Sequence, residues 1–184
     1  MNITTIKKNE GLVAALMLFS TCFVFSTPSR AQSNFSETES LRGLRGVMVL
    51  VEKLPEHLIA EGLSKAQLEK AVEARLHKAN IPVLTEPEWL RVLGSPLLWI
   101  NINAFNIDRA GYLAYAIEVQ LHQHVILTRK PSFETMAPTW NSGSIGIAKA
   151  KDFKRLQKAL NKHVDRFIKQ YLEMNQNFSI LRPK

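Results

Sequence analysis

LAYAIEVQLHQHVIL, residues 113–127, alternates apolar and polar side chains over most of its length. Leu113, Tyr115, Ile117, Val119, Leu121, Val125 and Leu127 share one parity, and Ala114, Ala116, Glu118, Gln120, His122 and His124 share the other. Successive side chains of a strand point to opposite faces, so this pattern predicts an antiparallel strand with one face on a core and one in water. Its length calls for a twisted ribbon or a bulge near Gln123.

The stretch before it behaves in the same way. Leu98, Ile100 and Ile102 alternate with Trp99, Asn101 and Asn103, and residues 106–111 suit a hairpin connection between the two strands. On the other side, Pro131 to Pro138 reads as a loop, and Thr139 to Ile147 as the source of one more strand. The last element is a helix from about Lys151 to Asn175. Phe153, Leu156, Leu160, Val164, Phe167 and Tyr171 form its apolar stripe.

Nearer the start, Val47 to Val51 is an uninterrupted apolar run, expected as a strand covered on both faces or central in its sheet. Ser64 with Gln67 gives a capping-box signature, and Leu68, Val72, Leu76 and Ala79 follow at helical spacing. Asn80 ends that helix, and residues 81–84 read as a short extended piece. The expected fold is α+β: a mostly antiparallel twisted sheet of four to five strands with two helices packed on one face. In element order alone this resembles small exported α/β domains of cell-envelope assembly proteins.

Residues 1–31 have the pattern of an export signal. Lys7 and Lys8 precede 19 uncharged residues, Gly11 to Ser29, and Ser29 and Ala31 supply the small residues that a signal peptidase reads. The expected organisation is a signal peptide over 1–31, a flexible lead-in over 32–45, one α+β domain over 46–175 and a tail over 176–184. Cleavage near Ala31 would place the domain in the periplasm or outside the cell, with no transmembrane segment remaining. Retention of the apolar run would instead leave the chain tethered.

Subtracting 31 residues from 184 leaves 153, an ordinary size for one domain. The single cysteine, Cys22, would leave with the signal, which excludes disulfide, thiolate-metal and cysteine-nucleophile chemistry from the mature chain. The formal charge of +8 falls to +6 once Lys7, Lys8, Arg30 and Glu10 are removed. Outside the cytoplasm that charge points away from nucleic acid. It points instead towards a lipid head group, a glycan or an acidic protein.

Candidate sites are few. His122 and His124 form a His-x-His pair able to hold one metal ion if a third ligand arrives from elsewhere, which would suit a metal-assisted hydrolase. Trp99, Asn101, Asn103 and Gln120 form a ladder of amides beside an aromatic surface, suited to sugars or peptides. Trp140 and Asn141 sit in a polar, glycine-bearing stretch read as a loop. Lys154, Lys158, Lys162 and Arg166 give the last helix a basic face that suits an anionic ligand. No cofactor motif occurs: Gly143 and Gly146 lack the context of a phosphate loop, and no serine sits in a nucleophile elbow. The oligomeric state is not legible. The expectation is a non-catalytic exported domain that binds a protein or envelope component through its sheet face or edge.

Overall fold

The computed structural model describes residues 37–107, 111–149 and 151–176. The expected signal with Cys22, the start of the lead-in, and the tail from residue 177 lie outside these residues. Among the described residues no helix is long and apolar enough to cross a membrane.

The fold is α+β, with a four-stranded mixed sheet in the order β1-β2-β3-β4. Strand β1 (Met48–Val51) pairs in parallel with β2 (Leu97–Asn106). Strands β2, β3 (Tyr112–Leu127) and β4 (Lys130–Lys149) then run antiparallel to their neighbours. Between β1 and β2 the chain forms α1 (Glu56–Ala60), α2 (Lys65–Lys78) and α3 (Glu86–Trp89). Helix α4 (Phe153–Asn175) follows β4.

The alternation in β3 does what period two requires. Leu113, Tyr115, Ile117, Val119 and Leu121 are buried, together with Leu98, Ile100 and Ile102 of β2 and Val47, Val49 and Val51 at β1. Helix α2 packs on β1, α4 packs on β3 and β4, and the two helices touch each other. Their stripes supply Leu68, Val72 and Leu76 from α2, and Leu156, Leu160, Val164, Phe167 and Tyr171 from α4. Both helices therefore cover the odd-numbered face of β3. Caps fix where they start: Ser64 Oγ accepts from the Gln67 N–H at 3.4 Å, and Asp152 accepts from the Arg155 N–H at 3.3 Å.

Three expectations need correction. The stretch 131–138, read as a loop, belongs to the 20-residue β4. Proline lacks the N–H of an interior ladder but is tolerated on an edge strand or at a bulge. Here β4 ends the sheet order, and Pro138 lies opposite His122 where the register shifts. The shift falls at Leu121/His122, and the extra residue, Thr139, is carried by β4. Strand β1, whose unbroken apolarity suggested cover on both faces or a central position, lies at the other end of the order, with Met48 and Leu50 only half-buried. Its helix side is buried by α2, and an isolated parallel bridge from Val47 to Val83 flanks its start.

The third correction concerns residues 37–45, expected to be a flexible lead-in. Leu41 is completely buried in the core. The Asn175 Nδ2 donates to Leu41 O at 2.9 Å, its Oδ1 accepts from the Gly43 N–H at 2.8 Å, and the Tyr171 hydroxyl donates to Leu44 O at 2.7 Å. Ser40 Oγ donates to Thr139 O at 3.1 Å, beside the bulge. Burying the Leu41 side chain contributes about 1.5–3 kcal/mol, and these hydrogen bonds add to it in holding the segment on the domain.

Candidate functional site

The even-numbered face of β3 carries neither of the two long helices. Four strands place their outward side chains there in rows set by the register. Leu50, Trp99, Gln120 and Asn141 form one row, and Asn101, Glu118 and Gly143 the next. Then come Asn103, Ala116 and Ile145, followed by Phe105, Ala114 and Ile147. Between the β2–β3 connection and the bulge at Thr139 the strands alternate without a break, so one register fixes this part of the face.

The result is a face in two halves. The polar half brings together Trp99, Gln120 and Asn141, three of the residues expected to bind. The Trp99 indole N–H donates to Glu52 at 2.8 Å, and its ring lies 5.5 Å from that of His122. That hydrogen bond, followed by one from the Lys53 N–H, holds the Glu52 carboxyl below its usual range. His122 Nε2 lies 2.8 Å from Gln120 Oε1. Partial burial lowers the His122 pKa. Asn101 sits opposite Glu118 rather than Gln120, and Asn103 opposite Ala116.

The apolar half lies towards the β2–β3 connection. Phe105 is 70% exposed, Ile145 85% and Ile147 54%, with Tyr112 and Ile107 close by in sequence. Ile145 and Ile147 fall in the stretch expected as a strand, but their spacing alone does not tell which face of the sheet they occupy or that it is uncovered.

The His-x-His pair shares this face, with His124 more exposed than His122. Among the described residues no group of three His, Cys, Asp or Glu side chains gathers to hold a metal ion. Trp140 is not a loop aromatic. Its parity on β4 sets it opposite Leu121, so it is buried on the helix face. There it packs edge-on against Phe167 at 5.3 Å and donates its indole N–H to Gln170 at 2.7 Å. Asn141, one residue on, projects the other way and donates to Glu37 at 3.2 Å.

Beneath α4 lies a constellation that spacing could not show. Ser142 Oγ is 2.8 Å from His163 Nδ1, and Ser144 Oγ is 2.8 Å from His163 Nε2. Both serines are on the helix face of β4, opposite Val119 and Ile117. Desolvation lowers the His163 pKa, and the neighbouring charges of Lys162 and Arg166 add to that. A neutral imidazole donates through one nitrogen and accepts through the other, so one serine hydroxyl accepts and the other donates. The arrangement clamps α4 to the edge strand, with Arg166 Nη1 3.5 Å from Ser142 Oγ.

Of the basic residues on α4, Lys154, Lys158 and Lys162 line a shallow groove of about 640 Å³, joined by Arg75 and Arg155. Arg166 faces Ser142 instead. No protein-family model matches the chain, and a search of curated proteins finds no match.

Proposed function

We propose that this chain is an exported, non-catalytic domain of the cell envelope that binds a protein partner through its uncovered sheet face and the adjoining edge of β4. The observation that carries this reading is the composition of that edge. From Trp140 to Ala148 the end strand has no charge and no proline, and two of its outward residues are the exposed Ile145 and Ile147. Soluble proteins protect sheet edges with charges, prolines or covering elements. Here Pro138 and Lys149 bracket the segment and leave its middle unguarded. A partner strand added along β4 would pair its backbone and set an outward side chain beside Ile147, extending the row formed by Phe105, Ala114 and Ile147. The polar half, with Trp99, Gln120 and Asn141, supplies hydrogen-bonding groups beside it.

The test is site-specific photocrosslinking in intact cells, with the crosslinking residue at Ile145 or, as a control, at Lys169 on α4. A discrete adduct from Ile145 that the control lacks, and that Ile147→Asp abolishes, is the expected result. Identical adducts from both positions, or none, would overturn the proposal. An adduct of twice the chain's mass would make a second copy the partner. N-terminal sequencing of the protein recovered from cells tests export: the expected start is Gln32.

A further inference from the structure

A basic groove lies on the opposite side of the sheet, between α2 and the first half of α4. Arg75 reaches it from α2, and Lys154, Arg155, Lys158 and Lys162 from α4, around an open groove of about 640 Å³. Helical spacing accounts for the row: Lys154, Lys158 and Lys162 recur every four residues and so share a face. Five cations meet one carboxylate there, Asp165, and it is already paired with Arg75 at 2.7 Å. Among the described residues, Lys154, Arg155, Lys158 and Lys162 have no carboxylate within ion-pair distance.

The inner wall is polar as well. Tyr115, buried on the helix face of β3, contributes to the lining. Its ring rests against Gly146, where an added Cβ would fall 2.5 Å from both Cζ and the hydroxyl oxygen. Among the described residues that hydroxyl has no hydrogen-bond partner. Asn161 and Gln157 add neutral polar groups to the lining. Cations at this density repel one another and are relieved by a ligand that carries several negative charges close together.

We infer that this groove binds phosphate groups through Arg75, Lys154, Lys158 and Lys162, with the Tyr115 hydroxyl as a donor at the inner wall. Phosphate suits the set because each dianionic group accepts several charge-assisted hydrogen bonds, and guanidinium and ammonium donors both fit it. The site is independent of the sheet-face proposal, since its residues lie on the other side of the sheet. Together the two surfaces would let one domain hold a protein and a phosphate-bearing ligand at once.

The test uses the chain as recovered from cells, titrated with inorganic pyrophosphate by calorimetry at low salt. In parallel, flotation compares phosphatidylcholine vesicles with and without about a quarter of phosphatidic acid. Binding in the pyrophosphate arm identifies a free phosphate ligand, and binding only to the phosphatidic-acid vesicles identifies a lipid head group. Lys158→Glu with Lys162→Glu should weaken binding by about tenfold or more, whereas Lys149→Glu with Lys169→Glu, the same change in net charge outside the groove, should leave it within about twofold. Tyr115→Phe should give a smaller loss with the salt dependence unchanged. Equal losses from the two charge-reversed pairs would reduce the effect to net charge and overturn the site. Binding to a carboxylated polysaccharide as tight as to pyrophosphate would overturn phosphate as the ligand. So would the absence of binding in both arms.

Discussion

His163 gains from the fold two partners that its own helix does not offer. On helix α4 it looks like an edge-of-core side chain beside Leu160 and Phe167, and only the fold brings it between Ser142 and Ser144. Its folded pKa is lowered by burial, so as pH falls the unfolded chain takes up the proton first. The stability this contributes is present above about pH 6.5, the ordinary histidine value, and is lost as pH falls through the folded pKa. His122 shifts in the same direction through burial and adds to the effect. In urea titrations at a series of pH values, the advantage of the wild type over His163→Gln should shrink on acidification. A constant difference would show that His163 does not titrate during unfolding. At neutral pH, Ser142→Ala should cost about 1–3 kcal/mol, because it leaves a buried ring nitrogen without its partner.

At the scale of elements, legibility followed periodicity. Strand β3 and the two long helices carry continuous apolar stripes with a period of two or about 3.6, and all three form where the sequence places them. Strand β4 does not carry such a stripe. Its helix-face positions are Trp140, Ser142, Ser144, Gly146 and Ala148, mostly small or polar, because α4 and Tyr115 fill the space that larger side chains would occupy. Period two is therefore hidden in β4 by close packing, and glycine and serine there mimic loop chemistry. Gly146→Ala should destabilise by about 1–3 kcal/mol by driving a methyl group into the Tyr115 ring. Adding Tyr115→Leu should restore part of that loss. Thermal melts of the single and double variants measure the coupling, and additive losses would show that the Tyr115 contact is not the cause.

For the molecule as a whole, the packing of residues 37–45 on the domain extends the core beyond the boundary composition suggested. Leu41→Ala should cost about 2–5 kcal/mol, as for a fully buried leucine, measured by chemical denaturation. Were residues 37–45 a loose lead-in, the change would be near neutral. By contrast Ile145→Asp, on the uncovered face, should alter stability by no more than about 0.5 kcal/mol. The sequence by itself determined the α+β class, the antiparallel core strands and the two helices, since each buries a stripe whose spacing is written in the chain. It also supplied the basic residues of α4 and the polar residues of β2 and β3. Only the tertiary structure decided which of them meet. Register set Trp99 beside Gln120 and Asn141, helix packing added Arg75 to the lysines of α4, and the layering of both helices on one side left Phe105, Ile145 and Ile147 uncovered. Periodicity reports which face of an element is buried, but neighbours across a sheet or between helices are fixed only when the elements pack together.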